Sequence, residues 1–219
     1  MTCSTRRRWA SRRNAPRTGR TMDEALGLLR EALARRGRPS SDYDLNPEGP
    51  RPEGRALRPA AVLMAVQAGP AGPEVLLTKR ASGLKHHPGQ IAFPGGKRDP
   101  GDPSLEACAL REAEEEIGLP RGAVEVLGTL PPHETVTGFL VTPILAHVRD
   151  PFDAVPEIGE VAEVFAVPLA HAADPARYRV EGRRWRGQRR LYYVLPWGPY
   201  YVWGATARIL RAFADRAAP

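Results

Sequence analysis

The sequence is poor in cysteine and contains no long hydrophobic run. Only two cysteines, Cys3 and Cys108, occur among its 219 residues. Two cysteines so far apart provide no disulfide framework, and such scarcity is typical of proteins from a reducing compartment, so we expect a cytoplasmic location. No stretch reaches the roughly 18 consecutive apolar residues that a transmembrane helix requires, and we therefore expect no membrane-spanning segment.

Acidic residues are missing from the start of the chain. Residues 1–21 contain seven arginines and no aspartate or glutamate, and they account for the whole formal net charge of +7. The remaining 198 residues are therefore neutral on balance. A nucleic-acid-binding domain is expected to carry a basic stripe on its folded surface, so the neutral remainder argues against a nucleic-acid partner. A basic binding protein, in which the arginine-rich segment contacts RNA or an acidic membrane, stays as an alternative from another class.

Residues 1–21 allow three interpretations: a disordered basic arm, an organelle-targeting segment, or a translated stretch upstream of a true start at Met22. We favour the third interpretation, because the residues that follow predict a helix that begins at Met22 and ends at Gly37. Acidic residues lead this helix and arginines follow, as its dipole favours. The leucines expected to face the core are Leu26, Leu29 and Leu33.

The rest of the chain is long enough for one domain with a sizeable core. Residues 38–56, which are rich in proline, glycine and serine, predict a linker. We therefore expect an N-terminal helix and linker over residues 22–56, followed by a single domain over residues 57–219.

Apolar runs bounded by turn residues predict seven strands in that domain. The expected strands lie at residues 60–67, 75–78, 124–129, 139–148, 160–169, 178–180 and 190–195, the last two flanking a basic turn. A helical turn is expected near residues 168–172. A closing helix is expected over residues 203–216, with Ile209, Leu210 and Phe213 facing inward. Strands on both sides of a central helix, with another helix at the end, predict the α/β class, with a mixed sheet between helices.

An aromatic cluster precedes the closing helix. It consists of Trp197, Tyr200, Tyr201 and Trp203. Such rings can stack on an adenine, but clusters of this kind more often anchor a neighbouring helix. We favour the anchoring interpretation.

The candidate catalytic residues lie in one stretch, residues 93–119, with the sequence FPGGKRDPGDPSLEACALREAEEEIGL. It predicts the end of a strand, a glycine turn, a polar loop and a helix. Residues three and four apart are neighbours on one helix face, so Glu112, Glu115 and Glu116 form a triangle of carboxylates. Mg²⁺ prefers oxygen ligands and commonly lies between carboxylates and substrate phosphates. Because Gly95 and Gly96 lack side chains, the backbone can approach such an ion closely.

A helix rich in glutamate and arginine is usually a solvated surface, but here the glycines and the spacing add a second signal. The stretch resembles the Nudix box, G-x5-E-x7-R-E-U-x-E-E-x-G-U, in which U is aliphatic. Asp102 stands where the first glutamate is expected, eight residues instead of seven precede Arg111, and Ala113 occupies the first U position. The second half of the box otherwise fits.

This resemblance implies a metal-dependent hydrolase with the Nudix α/β/α sandwich over about residues 57–215. It implies Mg²⁺ or Mn²⁺ held by Glu112 and Glu116, with Glu115 as a third ligand or as the base. The Gly96 carbonyl is a further expected ligand, and Arg111 is expected to orient a glutamate by a two-pronged contact. Which glutamate acts as the base does not follow from the sequence.

An additional acid is expected from the loop over residues 150–160. In several Nudix enzymes a loop acid from this region serves as a metal ligand or a base, and Glu160 is the first candidate here, with Glu157 the second. A solvated loop acid is an equally good interpretation of either residue.

The segment LLTKRASGLKHHPGQIAFPGG, residues 76–96, resembles the signature of the coenzyme A (CoA) pyrophosphatase branch of this family, L-L-T-x-R-[SA]-x3-R-x3-G-x3-F-P-G-G. Lys85 replaces the second arginine, which keeps the charge but loses the planar fork. Arg80 and Lys85 are expected to bind substrate phosphates, together with Gly95 and Gly96; a solvated basic loop is the alternative. Nothing assigns a role to the two histidines of this loop. Residues 135–143 resemble a further segment of the same branch.

The resemblance implies hydrolysis of the diphosphate bond of CoA or acyl-CoA. The products would be 4′-phosphopantetheine, or its acyl form, and adenosine 3′,5′-bisphosphate. The alternative within the same family is another nucleoside diphosphate derivative, such as ADP-ribose or NADH. We expect a small-molecule substrate and no nucleic-acid or membrane partner.

Overall fold

The computed structural model describes residues 20–49, 51–52, 54–185 and 187–218. Apart from Arg20 and Thr21, the segment interpreted above as lying upstream of the start is outside the described residues. The helices are α1 (Met22–Ala34), α2 (Leu105–Ile117), α3 (Leu169–Ala172) and α4 (Gly204–Ala217). The strands are β1 (Ser40–Ser41), β2 (Arg58–Gly69), β3 (Gly72–Arg80), β4 (Ile91–Ala92), β5 (Gly95–Lys97), β6 (Val124–Thr129), β7 (His133–Glu134), β8 (Phe139–Val148), β9 (Val161–Pro168), β10 (Arg179–Trp185), β11 (Gln188–Trp197) and β12 (Tyr200–Trp203).

Nine strands form one mixed sheet with β2 and β8 at its centre. Its main path runs β1-β7-β8-β2-β3-β4, while β5 pairs with β2, β6 with β8 and β9 with β3. The pairs β2–β8 and β1–β7 are parallel, and the other pairs are antiparallel. A mixed central sheet was expected, and it is confirmed.

The two faces of the sheet bury separate cores. On one face α2 packs with Ala109 and Ala113 against the Ala61 side of β2. On the other face α1 and α4 pack against the Met64 side of the same strand. Helices therefore cover both faces, and the predicted α/β/α arrangement is confirmed. Among the described residues, no helix combines the length and the apolar composition that crossing a bilayer requires.

Helix α1 begins where the sequence predicted, but it ends early. The Thr21 hydroxyl accepts a hydrogen bond from the Glu24 N–H, and the Glu24 carboxylate accepts one from the Thr21 N–H, which forms a capping box. The predicted end at Gly37 was wrong, because the helix stops at Ala34. The Arg216 guanidinium from α4 donates to the carbonyl oxygen of Ala32 at 2.8 Å, so a distant side chain satisfies this end of the helix.

The predicted linker contains packed structure. Strand β1 pairs in parallel with β7, and Tyr43 is buried. The fully buried His133 ring contacts the Ser40 hydroxyl at 3.0 Å through Nδ1 and the Asp42 carboxylate at 3.1 Å through Nε2. This network attaches the segment to the sheet, so a simple linker was the wrong interpretation of these residues.

The C-terminal hairpin also differs from its prediction. Strands β10 and β11 are longer than expected, so arginines expected in the turn lie in the strands, where Arg184 pairs with Arg189. In the aromatic cluster, Trp197 and Tyr200 pack against the core, which agrees with an anchoring role. Tyr201 is 43 % exposed.

Candidate active site

Helix α2 has strong start and stop signals. The Ser104 hydroxyl accepts a hydrogen bond from the Ala107 N–H at the first turn, and Gly118 ends the helix in the left-handed conformation. Between these caps, Glu112 and Glu116 lie one turn apart. Both are less exposed than ordinary surface glutamates, since Glu116 is buried, at 5 % exposure, and Glu112 is half-buried.

The Glu116 carboxylate contacts the glycine turn directly. Its Oε2 accepts a hydrogen bond from the Gly95 N–H at 3.1 Å. Gly95 has a φ of 149°, and a Cβ atom at this position would lie 2.6 Å from the Cα of Val62. Only glycine fits between α2 and β2 here, because both the backbone conformation and the space exclude a side chain.

Gly96 faces the Glu112 carboxylate. In the sheet, Gly96 pairs with Ala61, and a Cβ atom on Gly96 would lie 2.5 Å from the Glu112 Cδ. The missing side chain therefore leaves the room that this carboxylate occupies. The two glycines and the two glutamates form one compact unit, which we call the carboxylate cradle: Gly95, Gly96, Glu112 and Glu116.

The carboxylates of the cradle are unusually basic. Burial raises the pKa of Glu116 to about 7, and the charge of Glu112 adds to the rise, while the Gly95 N–H and the charge of Arg80 oppose it. Burial also raises the pKa of Glu112, against the lowering effect of Arg111. A bound cation would stabilise the ionised form of both carboxylates, the buried Glu116 and the half-buried Glu112.

Arg111 is held mainly by Asp102. Its Nε and Nη2 donate to the two Asp102 oxygens, both at 2.9 Å. This bond holds the pKa of Asp102 well below its usual range. The predicted two-pronged partner, a glutamate, was therefore wrong, although Arg111 Nη1 also lies 3.1 Å from the Glu112 carboxylate and donates to Glu115 at 2.9 Å. Asp102 and the eight-residue spacer before Arg111 also resemble the CoA-type branch, but the sequence did not predict that Asp102 binds Arg111.

The three predicted helix carboxylates are not equivalent. The Glu115 side chain is 58 % exposed and is bound by Arg111, outside the buried cradle. In the described part of the chain, no three side chains of Glu, Asp, His or Cys converge closely enough to hold a metal ion by themselves. The cradle thus offers two carboxylates, and further ligands for an ion would come from backbone, water or substrate, as is usual for Mg²⁺.

Two charged residues outside α2 act on the cradle: Arg80 at the end of β3 and Glu160 in the turn before β9. The charges of Arg80 and Glu160 both act on Glu116, and the Ala81 N–H joins their segments by donating to the Glu160 carbonyl at 2.9 Å. Among the described residues, the buried Nε of Arg80 has no hydrogen-bond acceptor. Glu160 acts on both cradle carboxylates, whereas Glu157 joins α2 only through its N–H, which donates to the Glu116 carbonyl at 2.9 Å.

Lys85 lies apart from this group. It is exposed on the loop between β3 and β4, and it makes no ion pair within the described ranges. The structure therefore brings together Glu112, Glu116, Arg80, Arg111, Glu160 and the two glycines, with Glu115 at the edge and Lys85 outside.

Comparison with known proteins identifies the class to which this arrangement belongs. The sequence profile of the NUDIX domain matches residues 57–186. The chain belongs to the Nudix hydrolase family and is therefore an enzyme; Nudix hydrolases act on nucleoside diphosphate derivatives and use divalent metal ions.

Several bacterial relatives are similar over most of their length. The chain is 46 % identical over 157 residues to an uncharacterized Nudix hydrolase NudL of Cronobacter sakazakii, which covers 72 % of this chain and 81 % of the relative. The values are the same for a NudL protein of Salmonella newport. Among solved structures, the Nudix hydrolase RenU of M. smegmatis shares 28 % identity with a TM-score of 0.45, over 56 % of this chain and 83 % of that one.

Proposed function

We propose that the protein hydrolyses the diphosphate bond of CoA or acyl-CoA. The products are 4′-phosphopantetheine, or its acyl form, and adenosine 3′,5′-bisphosphate. The observation that carries the proposal is the position of Arg80, the arginine of the CoA-type signature. Its charge acts on the buried Glu116, and its buried Nε has no acceptor among the described residues. An unsatisfied guanidinium donor beside a metal-type carboxylate pair suits a substrate diphosphate.

Glu112 and Glu116 are the proposed ligands of Mg²⁺ or Mn²⁺, with the Gly96 carbonyl as a backbone ligand. A divalent ion at the cradle neutralises charge on the phosphate oxygens and lowers the pKa of a bound water. Burial of the two carboxylates supports this assignment, because their raised pKa values reflect a desolvation cost that a cation removes.

The proton of the attacking water needs a carboxylate that is free to accept it. Glu160 and Glu115 are the two candidates for this role. Glu160 is exposed and close enough for its charge to act on both cradle carboxylates, whereas Glu115 is bound by Arg111. These contacts favour Glu160 as the base and leave Glu115 as the second candidate.

Arg111 acts through Glu112 and need not touch the substrate. Its fork on Asp102 fixes the guanidinium, and Nη1 then lies 3.1 Å from Glu112. Lys85 is the proposed second phosphate contact, reaching the substrate from the exposed loop. Because its side chain is long and flexible, it supplies charge without a fixed geometry.

A kinetic comparison of CoA, ADP-ribose, NADH and deoxynucleoside triphosphates with Mg²⁺ or Mn²⁺ tests the proposal. We expect the highest kcat/KM for CoA or an acyl-CoA, with adenosine 3′,5′-bisphosphate as a product. A higher kcat/KM for ADP-ribose or NADH would assign the enzyme to another branch of the family. Deleting residues 1–21 should leave hydrolysis unchanged; loss of RNA or lipid binding in that variant would support the basic binding alternative.

A further inference from the structure

A cavity of about 210 Å³ lies between the loop that follows β8 and strands β3 and β9. The ends of β2 and β8 complete its walls. Its lining residues include Gln67, Leu76, Val148, Phe152, Val164 and Ala166. Because most of this lining is apolar, the cavity suits an apolar group of a ligand better than a charged one.

The cavity lies on the same face of the sheet as the carboxylate cradle. Leu76 belongs to the core under α2, and several other lining residues pack against that core. Alternate residues of a strand lie on one face, so Leu76 and Arg80, four residues apart on β3, share this face. The charge of Arg80 acts on Glu116 of the cradle. Strand β3 therefore runs from the cradle to the cavity.

The loop over residues 149–160 also joins the two places. The Val155 N–H donates to the Ile117 carbonyl at 3.0 Å, and the Glu157 N–H donates to the Glu116 carbonyl at 2.9 Å. These two bonds fix the loop against the C-terminal end of α2. The first residues of the loop line the cavity, and its last residue, Glu160, is the proposed base. A ligand in the cavity and a substrate at the cradle would therefore lie along the same loop.

The wall that β9 contributes is only partly covered. Val164 and Ala166 are half-buried, and both pack against the core under α2. In the sheet Val164 pairs with Thr78, and Val161 pairs with Arg80. A chain-like ligand that starts at Arg80 can therefore follow β9 to reach the cavity.

The distance between the two places matches the pantetheine arm of CoA. Leu76 and Arg80 are about 13 Å apart at the usual rise of a strand. The arm joins the diphosphate to the sulfur through about twelve bonds, as many as four extended residues contain, so it reaches about 14 Å. With the diphosphate at the cradle, the sulfur would lie at the near end of the cavity. An acyl group on that sulfur would then extend into the apolar space.

We propose that this cavity binds the acyl chain of an acyl-CoA substrate. The inference rests on the proposed function, because it assumes a CoA diphosphate at the carboxylate cradle. It makes acyl-CoA a better substrate than free CoA, since each methylene group removed from water favours binding. The size of the cavity limits the gain, because a chain that is longer than the cavity leaves its end in water.

The first test compares free CoA, acetyl-CoA and hexanoyl-CoA as substrates. Wild-type kcat/KM should rise about tenfold or more from acetyl-CoA to hexanoyl-CoA. Ala166→Phe, which places a ring in the cavity, should remove this gain and keep kcat/KM for free CoA within about twofold. Activity with free CoA also reports that the variant is folded. Val126→Phe, at an exposed position of β6, is the matched control and should keep the wild-type preference.

A second variant changes the cavity in the opposite direction. Phe152→Ala removes a ring from the lining, so it should raise the ratio of kcat/KM for decanoyl-CoA to that for hexanoyl-CoA by at least about threefold. The acyl site would be overturned if neither variant changed the preference for chain length. It would also be overturned if the wild type hydrolysed acetyl-CoA and hexanoyl-CoA with equal kcat/KM.

If the wild type hydrolyses none of these substrates, the proposed function has failed, and binding decides the acyl site separately. Calorimetry in chelator should then show that the wild type binds hexanoyl-CoA at least about tenfold more tightly than free CoA. Ala166→Phe should bind the two compounds equally well. Equal affinities of the wild type for hexanoyl-CoA and free CoA would reject the acyl site.

Discussion

The two faces of the central sheet are packed with different side chains. Under α2 the core contains many small residues, among them Ala61, Ala65, Cys108, Ala109 and Ala113. Under α1 and α4 it contains large ones, among them Leu29, Met64, Leu210 and Phe213. Small side chains let a helix approach a sheet closely, whereas large ones bury more apolar area per residue.

The α2 face carries the candidate active site, whereas the face under α1 and α4 contributes mainly to stability. Close approach on the α2 face brings Glu112 and Glu116 against the Gly95–Gly96 turn, where burial makes both carboxylates more basic. The α4 face contains no such buried carboxylates among the residues described, and its packing supplies mainly hydrophobic stabilisation. Substitutions on the two faces should therefore affect different properties.

The largest effect is expected from Glu116→Gln on the α2 face. Replacing a proposed metal ligand by an amide should lower kcat/KM for CoA about a thousandfold or more, with an unchanged circular dichroism spectrum. Glu114→Gln is the control, because Glu114 lies on the same helix but pairs with Arg121 at 2.7 Å. Near-normal turnover by Glu116→Gln would contradict the proposed ligand role.

On the opposite face, Phe213→Ala should reduce stability and leave the kcat/KM of the folded protein nearly unchanged. Phe213 is fully buried, and its truncation leaves a cavity that should lower the free energy of unfolding by about 3–5 kcal/mol. Denaturant titration measures this loss, and Val180→Ala, at a half-exposed position, should cost less than about 1 kcal/mol. The separation of the two faces would be disproved if folded Phe213→Ala lost kcat/KM as severely as Glu116→Gln.

In metal-free protein, the raised pKa of Glu116 should make the free energy of unfolding depend on pH. Burial raises the pKa of Glu116 from 4.5 to about 7, so between these values the folded state binds more protons than the unfolded state. Stability should therefore fall as the pH rises from about 4.5 to 7, by up to about 3 kcal/mol. Unfolding in chelator should show this decline for the wild type and a weaker one for Glu116→Gln; identical profiles would rule out the assigned cause.

A smaller loss of activity is expected when a side chain is added at Gly96 in the carboxylate cradle. A Cβ atom on Gly96 would lie 2.5 Å from the Glu112 carboxyl carbon, so Gly96→Ala should displace that carboxylate and lower kcat/KM between about ten- and hundredfold. Gly101→Ala meets no atom within 4 Å and serves as the matched control. Equal activity of the two variants would show that the close contact has no role in turnover.

Local patterns in the sequence predicted the parts of the site that depend on local geometry. The helical spacing of Glu112 and Glu116 and the apolar runs of the central strands both act over a few residues. The outward position of Glu115 did not follow from spacing alone, because it depends on its contact with Arg111.

Contacts between distant residues explain what the sequence did not predict. Arg216 ends α1 from the other end of the chain, and His133 binds the supposed linker through Ser40 and Asp42. The fork between Arg111 and Asp102 depends on the path of the loop between β5 and α2. None of these contacts leaves a periodic signal, since each is created by tertiary folding.

The most direct test of the account is the affinity of the protein for Mn²⁺, measured from the electron paramagnetic resonance signal of the free ion. The account predicts that the wild type and Glu114→Gln bind Mn²⁺ equally well, and that Glu116→Gln binds it at least about tenfold more weakly. If Glu116→Gln bound Mn²⁺ with wild-type affinity and stoichiometry, the carboxylates of Glu112 and Glu116 would not be the metal site.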